Sequence, residues 1–216
     1  MARSKGERVH IYTSPHLVNF NERILLDSKP ADDNTLIEAF ARCEAANFGE
    51  PITFFEITTA AAFLLFSEHP ADRLILEVGM GGRLDATNVI ARPALSVITP
   101  VSLDHQEFLG RELADIARIK AGICKFGVPT VVANQCAVSE AAILDEAQKV
   151  GAPTYVWGRD YNAYMQHGRL VFENETQVWD LPAPGLLGPH QVLNAGAAAA
   201  CAAVLQWPSV EILCTA

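Results

Sequence analysis

The stretch LILEVGMGGRLDATN, residues 74–88, sets one carboxylate at the end of an apolar run and follows it at once with glycines. So short an apolar run, bounded by glycine, reads as a strand of a parallel sheet buried on both faces. Glu77 is its one charged residue. An ionised carboxylate inside such a strand is costly unless a cation or hydrogen-bond donors meet it. The strand therefore delivers Glu77 either to something positive in a ligand or to a local arginine such as Arg83. Gly79, Gly81 and Gly82 are expected to let the backbone turn sharply and a ligand come close. In open parallel sheets the ligand crevice lies at this carboxyl end of the strands.

The pattern of a strand followed by polar side chains repeats. VHIY (9–12) runs into TSPHL (13–17), where Pro15 stops the strand and biases Ser14 to an extended conformation. Ser14 is then either a ligand-facing hydroxyl or an ordinary turn serine. ALSVITPV (94–101) continues into SLDHQEFLG (102–110), and VPTVVA (128–133) is a further strand. Between them lie helical patterns at 36–46, behind the capping residues Asp32, Asp33 and Asn34 and with an apolar face at 36, 37, 40 and 43, and at 57–66, 113–123 and 139–150. Phe54 and Phe55 sit just before the second helix, where they either line a cavity or pack in the core. Lys120 falls on the apolar stripe of the third, with Leu113, Ile116, Ala117 and Ala121. A lysine there either snorkels or serves a site. The fold class expected is α/β, three-layered, with a mainly parallel sheet and helices on both faces. From about residue 153 the alternation gives way to short segments at 154–157, 163–165, 170–172 and 177–179, a small antiparallel appendage. An Ala-rich helix follows at 190–205. Residues 1–206 are expected to form one domain, and 207–216 the stub of a continuation that begins another helix.

Of the 216 residues half are hydrophobic, and the net charge of −9 is not offset by any cluster of Lys and Arg, which argues against a nucleic-acid partner. Five widely spaced cysteines without a CxxC pair indicate neither a disulfide framework nor zinc, so a reducing cytoplasm fits. No apolar run has the length of a bilayer span and none follows residues 1–8 as a signal peptide would. A cytoplasmic monomer with no membrane contact is expected.

Six motifs, in order, carry a resemblance: TSPHLVNFNERI (13–24), TFFE (53–56), LEVGMGGRLDATN (76–88), SLDHQEFLG (102–110), IARIKAGI (116–123) and GPHQVLNA (188–195). Together the chain resembles the folylpolyglutamate synthase and dihydrofolate synthase group of the Mur-ligase-like, ATP-dependent amide ligases. The resemblance implies that ATP phosphorylates the carboxylate of a pteroate or folate and that the amine of L-glutamate attacks the acyl phosphate. It implies ATP and Mg2+ as cofactors, with Ser14, Glu77 and His105 matching the metal ligands. Lys120 matches the lysine that is carbamylated in the family, and Lys120 and His105 are the catalytic candidates; Ile119 departs from the acidic residue usual beside that lysine. Thr53, Phe54, Phe55, Glu56, Leu84, Asp85 and Ala86 match pterin-binding segments. A flat heterocycle needs an aromatic or apolar face and a carboxylate for its ring nitrogens. Asn194 matches a nucleotide contact, with His190 beside it.

The family's phosphate-binding loop has no counterpart here. No Gly-x-x-x-x-Gly-Lys-Ser/Thr pattern occurs in the 216 residues, and only residues 1–8 precede the first strand. A fragment, an internal start or a truncated product is therefore expected, without the carboxyl-terminal domain. Two functions stand open: a folate-pathway ligase, or a catalytically inactive core that at most binds a pterin or a metal.

Overall fold

Tyr12 ends strand β1 (Val9–Tyr12) with its side chain fully enclosed, and the first of two compact units, which among the described residues is 6–80 and 84–89, is built around it. The computed structural model describes residues 6–186 and 188–207, so the helix expected at 209–216 lies outside the described residues. A short 3-10 turn (Phe20–Arg23) leads to β2 (Ile24–Leu26) and β3 (Lys29–Pro30). Helices α1 (Asp33–Asn47) and α2 (Phe54–Glu68) follow, and then β4 (Arg73–Leu76). The sheet order is β3-β2-β1-β4, parallel only between β1 and β4, with Tyr12 opposite Leu76. Tyr12, Ile24, Leu36, Ala39, Ala61, Ala62 and Leu65 form its core.

Two expectations change here. β4 is an edge strand, and Leu74 and Ile75 are 40% and 53% exposed, where burial on both faces was expected. An apolar run says that a strand is apolar; its place in the sheet is set by its neighbours. The strand also ends at Leu76, although the Glu77 N–H still donates to the Tyr12 carbonyl at 2.9 Å. The second change is at α2, which begins at Phe54, so both phenylalanines lie in its first turn. The reason is a capping box. The Glu56 N–H donates to Thr53 Oγ1 at 3.2 Å, and the Thr53 N–H donates back to Glu56 Oε2 at 2.8 Å. In α1 the buried stripe is Leu36 and Ala39, while Ile37 faces outward.

Caps made by carboxylates tie these helices to pH. The Thr35 N–H donates to Asp32 and holds its pKa down, and the Thr53 hydroxyl does the same for Glu56. Each folded pKa lies below its unfolded value, about 3.9 for Asp and 4.3 for Glu. Their stabilisation is thus complete above those values and is lost as pH falls through the folded ones. Urea midpoints measured from pH 6 downward should fall below about pH 4.5, and Glu56→Gln should flatten part of that slope. An unchanged slope would show that the cap does not form.

Among the described residues the second unit comprises 81–83, 90–186 and 188–207. β5 (Ser96–Ile98), β6 (Thr130–Val132) and β7 (Thr154–Val156) form a parallel sheet in that order. Helices α3 (Gln106–Leu109), α4 (Leu113–Ala121) and α5 (Ala137–Val150) lie between them in the chain. β8 (Tyr161–Gln166), β9 (Arg169–Asn174) and β10 (Val178–Pro182) make an antiparallel sheet, followed by α6 (Pro189–Val204). Successive residues of β6 face opposite ways. Val132 packs with Ile116 and Ile143 of α4 and α5, and Val131 with Tyr161, Phe172, Trp179 and the alanines of α6. The parallel sheet is thereby covered on both faces, as the α/β expectation requires. The segment at 154–157 is corrected, because 154–156 form a strand of the parallel sheet. Its β-branched and aromatic residues suit either sheet, and the preceding helix α5 is the crossover that makes the pairing parallel.

Candidate functional site

Ser14 and Glu77 come together in the first unit, each just past the carboxyl end of one of two parallel neighbours, β1 and β4. The Ser14 N–H donates to Glu77 Oε2 at 2.9 Å. Among the described residues Glu77 has no cationic partner, and Arg83 makes an ion pair with Glu146 at 2.6 Å. The local-arginine explanation for Glu77 therefore does not hold. A hydroxyl and a carboxylate, with Glu77 Oε1 still open, remain at the strand ends. Both are hard oxygen donors, which suits Mg2+ better than a softer ion. Among the described residues no group of three His, Cys, Asp or Glu could hold a metal by itself.

The glycine-rich turn is organised by Asp85. Its Oδ2 accepts the N–H groups of Gly79 at 3.1 Å and Met80 at 2.9 Å, and its Oδ1 accepts the Thr87 N–H at 2.9 Å and the Thr87 hydroxyl. All four acceptor positions of the carboxylate are thus in use. The glycines make room for protein. A Cβ on Gly79 would lie 2.2 Å from the Phe55 ring. Only Gly81 of the three has a positive φ, +72°.

Thr53 and Glu56 are the capping pair of α2, while Phe55 leans on Tyr12 with ring centroids 6.0 Å apart. Phe54 is exposed, Leu84 almost wholly so, and Ala86 half-buried. Arg23, which no sequence rule singled out, lies against this aromatic group. Its guanidinium carbon is 5.7 Å from the centre of the Phe20 ring and 5.5 Å from that of Phe54. The signal that could have found it is a cation placed directly before the apolar strand 24–26.

The second unit holds the remaining candidates. His105 precedes α3 with φ +48°, a left-handed conformation uncommon for non-glycine residues, and its Nε2 is 3.5 Å from Asp104 Oδ2. Lys120 is half-buried on α4 beside the enclosed Ile116, Ala117 and Ala121, as its spacing indicated. Asn194 is exposed on α6 and donates to Gln191 Oε1 at 3.3 Å, and His190 is exposed in the first turn. In this unit Gly82 is pressed against α4. A Cβ there would lie 2.8 Å from the carbonyl oxygens of both Ile119 and Lys120. Backbone oxygens cannot swing aside as a side chain can. Gly82→Ala should therefore cost about 2–3 kcal/mol of stability, read as a lowered urea midpoint at unchanged slope. A loss within about 0.5 kcal/mol would show that the turn moves freely.

The Mur ligase middle domain family matches residues 36–202. A folylpolyglutamate synthase of Lacticaseibacillus casei is 35% identical over 224 residues, covering 95% of this chain and 51% of its own length. A dihydrofolate synthase/folylpolyglutamate synthase of Bacillus subtilis is 35% identical over 210 residues, covering 90% of this chain and 48% of its own. Among solved structures, Escherichia coli FolC in complex with DHPP and ADP superposes with a TM-score of 0.89 at 31% identity, over 98% of this chain and 50% of that one. The chain spans about half the length of the curated relatives it matches. With both its sequence match and its strand-and-helix order agreeing, the chain belongs to the Mur ligase middle domain family.

Proposed function

We propose that the chain carries the pterin- and cation-binding part of an ATP-dependent amide ligase that adds L-glutamate to dihydropteroate or tetrahydrofolate through an acyl phosphate. The observation that carries this reading is the Ser14–Glu77 pair at adjoining strand ends, in the same unit as the exposed Phe54 and the half-buried Phe55. Solved relatives bind ADP with DHPP, and AMPPCP with folate, which supports ATP and a folate as ligands here. Ser14 and Glu77 would hold Mg2+, which when bound offsets phosphate charge. Phe54 and Phe55 offer stacking faces to the aromatic rings of the pteroate, with Leu84 and Ala86 as an apolar border. Asp85 can accept from a pterin only by releasing one of its four donors from Gly79, Met80 and Thr87, and Thr53 and Glu56 act through the position of α2. Asn194 and His190 contact the nucleotide. Lys120, carried as a carbamate, places negative charge on an otherwise apolar helix face; 13C-bicarbonate labelling would reveal it as a carbamate resonance lost in Lys120→Arg.

The test is pteroate binding by the chain with and without Mg2+. Wild type should bind pteroate, and Mn2+ used as a paramagnetic probe should broaden resonances of Ser14 and its neighbours. Glu77→Gln should abolish that broadening and leave pteroate binding within about threefold. Broadening that survives Glu77→Gln would refute the cation role. A second reading, a core that binds without catalysing, is favoured by the lack of a Gly-x-x-x-x-Gly-Lys-Ser/Thr pattern among the 216 residues.

A further inference from the structure

Arg23 belongs to the motif NFNERI (19–24) and has no part in the pterin or cation contacts proposed above. It is only 9% exposed. Its Nε–H donates to His16 Nδ1 at 2.9 Å, which requires an unprotonated Nδ1 and hence leaves its charge uncompensated by that partner. The adjacent Glu22 does not supply the counter-charge, because its carboxylate accepts the N–H groups of Leu17 at 2.7 Å and Asn19 at 2.8 Å, and that of Val18 as well. Among the described residues Arg23 has no ion pair, and no hydrogen bond reaches its two terminal nitrogens. Neither of those nitrogens is sealed from solvent, since no Arg23 atom is both fully enclosed and unpartnered.

A guanidinium so far removed from water is costly unless an anion meets it, and two aromatic faces recover only part of that cost. The phenylalanines Phe20 and Phe54 flank it edge to face, with centroids 6.0 Å apart. The fork is therefore preset in orientation, with its Nε occupied and its outer edge open. Its backbone is also fixed beside the other candidates, because the Thr13 N–H donates to the Arg23 carbonyl at 2.9 Å, one residue before Ser14. Such an arrangement suits a planar, two-oxygen anion attached to an aromatic body.

We propose that Arg23 is the carboxylate-recognition residue of this site, its terminal nitrogens taking the carboxylate of the pteroate-type ligand whose aminobenzoate ring rests on Phe54. This rests on the pterin reading given above and adds to it the group that distinguishes the acid from a neutral analogue.

The probes are pteroic acid and its methyl ester, titrated into the 216-residue chain. Wild type should prefer the acid by roughly tenfold or more, the scale of a charge-assisted bidentate contact. Arg23→Met should erase that preference while leaving the ester's affinity unchanged, and Arg23→Lys should restore part of it. Equal affinities of wild type for acid and ester would overturn the proposal, as would an equal loss of both in Arg23→Met. Should wild type bind neither probe, the pterin reading fails by itself. Arg23 is then judged on wild type alone, by the 15N resonance of its Nε–H. Movement of that resonance with p-aminobenzoate but not with its methyl ester sustains a carboxylate site, and no movement overturns it. This last measurement also decides the matter if Arg23→Met does not fold.

Discussion

Assayed by itself with ATP, Mg2+, L-glutamate and dihydropteroate, the 216-residue chain should form no glutamyl product above background. Phosphoryl transfer depends on donors already aimed at the charge that develops, and nothing among these residues matches a phosphate-cradling loop with its lysine. Loss of a single such donor lowers a rate roughly a hundredfold to a thousandfold, and a loop supplies several. The amine of glutamate must also be held near the acyl phosphate, and positioning a second reactant is worth several kcal/mol more. Release of ADP and of the glutamylated product, followed by chromatography, is the direct measurement. Product formed at a rate that Glu77→Gln abolishes would show that these residues suffice and would refute the view that this chain binds without catalysing.

Asp85→Ala should lower stability by about 3 kcal/mol and, with it, loosen every element of the glycine-rich turn. Four hydrogen bonds converge on this carboxylate, three of them from backbone N–H groups. Removing the acceptor strands donors that cannot find water equally well, above all around Thr87, which is 4% exposed. Asp85→Asn separates shape from charge. One amide oxygen can still serve Thr87 or Gly79 and Met80, but the amide NH2 would then face N–H donors, so the loss should remain above about 1 kcal/mol. Urea unfolding of the three proteins tests the order wild type, Asn, Ala. An Asp85→Ala chain as stable as wild type would mean that the turn is held by its glycines and not by this hub.

Much of this could be read in residues and the rest could not, for identifiable reasons. The strand at 9–12 follows from its apolar run, and the helices expected at 36–46 and 139–150, which span 33–47 and 137–150, and the half-buried Lys120 follow from periodicity, which reports directly on burial along one element. Periodicity says nothing about which strand lies at an edge, so Leu74 and Ile75 were misjudged. Likewise 154–156 have the composition of either sheet, and only the partner strand decides. In TFFE the T-x-x-E spacing of a capping box was present and was passed over for the aromatics between. Gly79 was expected to admit a ligand, and the ring of Phe55 fills that space; a lone glycine shows that something approaches closely without naming it. Arg23 escaped notice because its environment is made by His16, Phe20 and Phe54, which only the fold assembles.

The place of β4 at the end of its sheet has a practical consequence. Among the described residues β4 pairs with β1 alone, and Leu74 and Ile75 are 40% and 53% exposed, with Arg73 the one charged residue of the strand. A strand of this kind is a template for edge-to-edge growth, so these 216 residues purified alone should self-associate more readily as concentration rises. A charged substitution at Ile75, which points outward, would keep the chain dispersed without disturbing the pairing with β1.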